Sequence, residues 1–240
     1  MNTFISWSGG KDSSLALYYA QQQKINIQAL VTSVNHAHDR ISMHGVRRVL
    51  LEQQAALLKL PLHTIELSEQ PDMKEYENAV DRCYASLKKE GFTQAIFGDI
   101  FLEDLKTYRE NQLAKHDIIG LFPIWKKDTA ALIHEFIALG FKAIIVCVNT
   151  NFLDESFCGR VIDEAFVNDL PNGVDPCGEN GEYHSFVFDG PIFKSPVEFI
   201  KGEIVYKEYK TPGDSDKECF TTLQPPTGFY FTDLLPYSKE

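Results

Sequence analysis

The sequence has no long hydrophobic run. No apolar stretch approaches the ~20 residues that a membrane-spanning helix needs, and the N-terminus lacks the basic start of a secretion signal. No membrane role is therefore expected, and the protein is read as cytoplasmic. Positive charge is scarce: 23 Lys and Arg stand against 34 Asp and Glu, for a net charge of −11. That balance argues against a broad nucleic-acid surface, which needs clustered Lys and Arg. Cysteine is sparse and odd in number, at Cys83, Cys147, Cys158, Cys177 and Cys219, with no C-x-x-C pair. Neither a disulfide framework nor a zinc knuckle is indicated, and buried thiols in a reducing compartment are expected.

What remains is an ordinary globular balance, 44% hydrophobic and 24% charged over 240 residues. That length fits one large domain with a smaller appendage. The chemistry starts at the N-terminus. Phe4, Ile5 and Trp7 read as a buried strand that stops at Ser8-Gly9-Gly10, and Leu15, Leu17, Tyr18 and Tyr19 then follow in a helical pattern. A strand, a glycine turn and a helix start make an anion site, because the backbone N–H groups and the helix dipole both favour negative charge there. Ser8 and Ser13 add hydroxyls and Lys11 adds a cation.

The loop is not a Walker A loop. Asp12 follows Gly10-Lys11, and Ile5 stands where the first glycine would be. It is not a dinucleotide fingerprint either, since Ser13 occupies the third glycine's place. Ser-Gly-Gly-Lys-Asp-Ser resembles the PP-loop of the ATP pyrophosphatases, which split ATP between the α- and β-phosphates.

Strand and helix patterns alternate up to residue 149. Strands are expected at 27–34, 62–67, 94–99, 118–122 and 142–148, with helices between them, one of them capped by Asp128. The alternation predicts an α/β fold, a Rossmann-like doubly wound parallel sheet. Beyond it the segments shorten, and a smaller α+β domain is expected. Residues 1–149 are assigned to nucleotide binding and 150–240 to substrate. The end, from Thr211, is polar and Pro-rich and reads as loosely held.

A second constellation lies in that half: Cys177-Gly178-Glu179-Asn180-Gly181-Glu182-Tyr183-His184-Ser185-Phe186. By itself it reads equally well as a polar hairpin with glycine turns. Paired with the first loop, it resembles the diphthine–ammonia ligase family and its bacterial relatives. Gly98-Asp99-Ile100 with Tyr108-Arg109, Pro123-Ile124-Trp125, and Asp189-Gly190-Pro191-Ile192-Phe193 strengthen the likeness, which spans about residues 4–193. Asn180 departs from the glycine of many relatives, and Asn tolerates the same turn.

The resemblance implies an ATP-dependent ligase that adenylates a carboxylate, releases pyrophosphate and lets ammonia displace AMP. Ser8, Gly9, Gly10, Lys11, Asp12, Ser13 and His44 are then the nucleotide-binding candidates, His44 having a second reading as a histidine at a helix start. Lys11, Asp12, Asp99, Arg109, Glu179 and Glu182 are the catalytic candidates, with Asp12 and Asp99 as Mg²⁺ ligands. Arg109 has a second reading as a helix-surface ion pair with Glu103 or Glu110. ATP and Mg²⁺ are the implied cofactors. The implied partners are ammonia and a carboxylate, either protein-borne diphthine or a small molecule such as a corrinoid salvage intermediate, and a homodimer is a further expectation. Residue 2 is Asn, so no N-terminal cysteine glutaminase is visible. A nucleotide-binding or hydrolysing module without ligase activity is the competing reading, against which Glu179 and Glu182 argue.

Overall fold

A computed structural model describes residues 1–42, 44–209 and 227–237. The elements run β1 (Asn2–Ser6), α1 (Lys11–Gln22), β2 (Ile27–Asn35), β3 (Arg40–Ile41), α2 (Arg48–Leu58), β4 (Leu62–Leu67), α3 (Met73–Lys89), β5 (Phe92–Ile96), α4 (Glu103–Ala114) and β6 (Ile119–Leu121). Then come α5 (Thr129–Ala138), β7 (Lys142–Asn149), α6 (Glu164–Asp169), β8 (Tyr183–Asp189), β9 (Phe199–Tyr209) and β10 (Thr227–Pro236).

The first sheet pairs its strands in the order β4–β2–β1–β5–β6, all parallel, with β3 a short antiparallel addition at Val34 and Asn35. Both faces of the sheet are covered, which explains the nearly continuous apolar strands. Ile5, Leu30 and Ile96 pack with α1 and α2 through Leu17, Ala20, Leu50 and Leu51. Their alternating neighbours Phe4, Ala29 and Ala95 pack on α3 and α4 through Val80, Tyr84, Leu87 and Leu113. The chain runs outward from β1 to β2 and β4, then returns to β5 and β6 on the other side. The crevice between β1 and β5 is thus the switch point where ligands bind in such sheets.

The second sheet is antiparallel, in the order β8–β7–β10–β9. Here two expectations are corrected. The strand at 142–149 does not close the parallel sheet, because both of its neighbours, β8 and β10, run against it. An apolar run tells that a strand is buried on both faces, but not which sheet it joins. Nor is the whole end from Thr211 loosely held. Residues 210–226 lie outside the described ones, but β10 is an inner strand of this sheet, with Leu234 buried in the core. Asp128 caps α5 as expected, accepting from Ala131 N at 2.8 Å. Among the described residues the four cysteines are free thiols, and no helix is long and apolar enough to cross a membrane.

Candidate active site

The turn after β1 is built by packing from both halves of the chain. Gly9 adopts φ +75°, and a Cβ there would stand 2.7 Å from Gln54 Oε1, so only glycine fits without strain. Gln54 is fully buried in α2 and acts as a hub. Its Oε1 accepts from Trp7 Nε1 at 2.9 Å, and its Nε2 donates to Gly9 O at 3.1 Å and Val187 O at 2.6 Å. Val187 N also donates to Gly9 O at 2.8 Å. Strand β8 therefore holds the back of the loop. Its Ser185 takes part in front, where Ser185 Oγ accepts from Lys11 N at 3.2 Å. Ser8 Oγ accepts from Gly10 N at 3.2 Å and lies 3.2 Å from Ser13 Oγ, which donates to Gly10 O at 3.0 Å.

Gly98, after β5, is there for a close approach. A Cβ would lie 2.7–2.9 Å from backbone atoms of Asp12 and Ser13. The bare backbone lets Asp99 reach the first turn of α1. Asp99 is held by Arg109 of α4, with Nε 2.7 Å from Oδ2 and Nη2 donating to Oδ1 at 3.2 Å. The guanidinium lies 4.6 Å from the centre of the Phe97 ring. Of the two readings of Arg109, the pair with Glu103 or Glu110 is not the one seen. Those acids bind Lys126 and Lys106.

These parts enclose one cavity of about 240 Å³. Ser8, Gly10, Lys11, Asp12, Ser13, His44, Asp99 and Arg109 line it from the first half, and Gly178, Glu179, Tyr183, His184 and Ser185 from the second. A larger hollow of about 350 Å³ between β4 and α3, lined by His63, Glu66, Arg82 and Cys83, contains none of the motif residues. Size does not decide between them; of the two, the smaller brings the motif residues of both halves together.

Within the cavity wall, Lys11 is almost fully buried and its Nζ donates to both oxygens of Asp12, at 2.7 and 2.8 Å. Burial works against the Lys11 charge, but Asp12, Tyr183 and Cys177 together outweigh it, and the ammonium is held above its ordinary value. Glu179 Oε1 accepts from Ile100 N at 2.7 Å. Burial, then the Asp12 carboxylate, push Glu179 up to about 7. His44 and His184 face each other with ring centres 4.6 Å apart. Burial lowers His44 to about 4, and burial and His44 lower His184 further below its ordinary value, so both imidazoles are neutral.

Glu182 and Gly9 are not in the cavity wall. Glu182 is buried inside its own loop, where Oε1 accepts from Asp175 N and Asn180 Nδ2 at 3.0 Å and Oε2 from Asn180 N at 2.9 Å. The two glutamates grouped by sequence are thus separated: Glu179 faces the cavity and Glu182 ties the turn. Sequence reasoning missed Gln54 and gave Ser185 no role. A glutamine among the buried positions of α2 was the available signal for the first; the second stood inside the glycine–glutamate motif without a role of its own. Among the described residues no three His, Cys, Asp or Glu side chains form a ready-made metal cluster.

A parallel sheet with this loop at its switch point defines a nucleotide-binding α/β protein of the PP-loop type. Comparison with known proteins carries this to a family. Residues 1–116 match the model of the diphthamide synthase N-terminal domain, and residues 128–216 that of the diphthamide synthase C-terminal domain. A diphthine–ammonia ligase from Danio rerio is 30% identical over 211 residues, covering 79% of this chain and 83% of its own. Those from Homo sapiens and Mus musculus are 29% and 27% identical over 173 residues, covering 70% of this chain and 65% of theirs. The chain belongs to the diphthine–ammonia ligase family.

Proposed function

We propose that this protein is an ATP-dependent ligase that converts the carboxylate of diphthine to an amide with ammonia. The observation that carries this reading is the shared cavity, in which a phosphate loop faces an acidic glycine loop, with Ile100 bonded to Glu179 across the two halves. A substrate carboxylate oxygen attacks the α-phosphorus of ATP. The α–β bridge breaks, and pyrophosphate leaves with its electron pair. Ammonia then attacks the acyl carbon, the bond to AMP breaks, and the nitrogen loses a proton.

The loop's N–H groups, Ser8, Ser13 and Lys11 are suited to the phosphates, and holding them in line is most of the catalytic task. Lys11 exchanges Asp12 for a phosphate oxygen when nucleotide arrives. That exchange frees the Asp12 oxygens. Asp12 and Asp99 offer only oxygen donors beside the phosphate loop, which fits Mg²⁺, an ion that takes one or two carboxylates together with phosphates. Asp12 and Asp99 would hold Mg²⁺, which would supply neutralisation of charge on the departing pyrophosphate. Glu179, with a value near neutrality, is suited to bind ammonium and accept its proton. Arg109, anchored on Asp99 and Phe97, presents its remaining N–H groups to an acceptor carboxylate.

The test is product analysis with α-labelled ATP, ammonium and a panel of carboxylates that includes a diphthine-bearing protein. AMP formed in step with amide is the expected result. ADP as the only nucleotide product overturns the reading.

A further inference from the structure

We propose that Asp233, on β10, is a positioning residue of the nucleotide site: it holds His44 against the phosphate loop by clamping both ends of the loop that carries it. The proposal rests on the reading of the cavity as an ATP site. The loop in question includes the short β3 and leads into α2, running from Arg40 to Arg47. Arg40 Nη1 donates to Asp233 Oδ1 at 2.9 Å and to Gly45 O at 2.7 Å. Arg47 donates through Nε to Oδ1 at 3.1 Å and through Nη2 to Oδ2 at 2.7 Å. A single carboxylate from the second sheet therefore bridges the first and last residues of the loop. Backbone bonds close it between them, Ile41 N to Val46 O at 2.8 Å and Gly45 N to Ile41 O at 3.0 Å. The same strand seats the turn: Gly45 has φ +69°, and a Cβ on it would lie 2.9 Å from the Phe231 ring.

Asp233 is about four-fifths buried. Burial works against its charge, but hydrogen bonds from Arg47 and Arg40 outweigh it and draw the carboxyl down to about 2. It is ionised throughout the working range, so the clamp does not open with pH. What the clamp holds is the imidazole. His44 Nδ1 lies 3.3 Å from Ser185 O, and its Cε1 is 3.1 Å from where a Gly10 Cβ would be. Its ring also meets that of His184. His44 thus forms the wall beside Gly10, at the place where the phosphates are to lie. A strand near the C-terminus sets that wall.

The experiment is calorimetric titration of ATP into the wild type, Asp233→Asn, His44→Ala and the double variant. Asp233→Asn is expected to weaken ATP about tenfold, and the double variant to bind no worse than His44→Ala, because one residue acts through the other. Asp233→Glu keeps the charge and is expected to bind within about threefold of the wild type. Losses that multiply in the double variant, or wild-type affinity in Asp233→Asn, overturn the clamp. Should Asp233→Asn not fold, Arg47→Gln, which leaves the Arg40 arm in place, is judged by the same comparison with His44→Ala. NMR of the His44 and His184 imidazoles in nucleotide-free protein judges the clamp without ATP. Shifts in Asp233→Asn that Asp233→Glu restores support it, and unmoved resonances overturn it. A wild type that binds no ATP overturns the reading of the cavity instead.

Discussion

Ile100 N donates to Glu179 Oε1 at 2.7 Å, so the segment after β5 and the glycine loop before β8 are fastened where Glu179 lines the cavity. The contact orients the carboxylate, while its surroundings, burial first and then Asp12, disfavour its charge. A carboxyl that is both fixed and near neutrality is the kind of group proton transfer uses.

The first expected outcome follows from this. Glu179 is raised from 4.5 to about 7 in the folded protein. The folded state therefore keeps a proton that the unfolded chain releases, and its contribution to stability is present below the ordinary carboxylate value. It is lost as the pH rises through 7. Glu179→Gln keeps an acceptor for Ile100 N but cannot ionise. In nucleotide-free protein, melting temperature should fall more steeply from pH 5 to 8 in the wild type than in Glu179→Gln. Parallel falls would remove Glu179 as the titrating group.

Lys11 and Asp12 can be separated by a double variant. Lys11→Met leaves Asp12 without its cation and is expected to destabilise the fold by about 1–3 kcal/mol. Adding Asp12→Asn relieves that unpaired charge. Chemical denaturation should show stability recovered in Lys11→Met/Asp12→Asn, while calorimetry still shows ATP affinity at least about tenfold below the wild type. Recovery of ATP affinity along with stability would make Lys11 a structural residue only.

Gln54 has no contact with the cavity, yet it holds both Trp7 and Gly9. Gln54→Leu leaves Trp7 Nε1 buried without an acceptor and releases Gly9 O from one of its two donors. The expected loss is about 1–3 kcal/mol of stability, together with weaker ATP binding. Unchanged denaturation midpoints would show that the hub is dispensable.

How much of this was legible beforehand depends on whether the physics is local. The β1–loop–α1 unit was, because an apolar run, paired glycines and a helical pattern follow one another directly along the chain. Gly98-Asp99 and the Asp128 cap were legible for the same reason, each being a signal carried by adjacent residues. Sheet membership was not. Apolar patterning places β7 in a core, but its partners β8 and β10 are set by long-range pairing. β10 was obscured by the polar, Pro-rich segment before it, and its register shifts between Thr232 and Leu234, so its apolar residues do not keep one strict alternation. The site was half legible: motif residues converge as the family likeness implied, but the direction each loop side chain takes is decided by partners. Arg109 turns to Asp99 rather than to its helix neighbours for that reason.

The two glutamates three residues apart give the sharpest case. Spacing alone puts Glu179 and Glu182 in one acidic group, but Glu182 receives three N–H donors from Asp175 and Asn180. A carboxylate has acceptors for all of them; a glutamine has one oxygen and turns an NH₂ group toward donors. Glu182→Gln is therefore expected to leave at least one buried N–H unsatisfied and to lower stability by about 1–3 kcal/mol. Because Glu182 stands outside the cavity wall, ATP affinity and ammonium-dependent AMP release per folded molecule should stay near wild type at a temperature well below the melting point. The same substitution at Glu179 should do the reverse, sparing the fold and suppressing amide formation. Melting curves and AMP release measured side by side on the two variants separate a loop tie from a reacting group. A Glu182→Gln protein that melts normally but forms no amide would return this residue to the site.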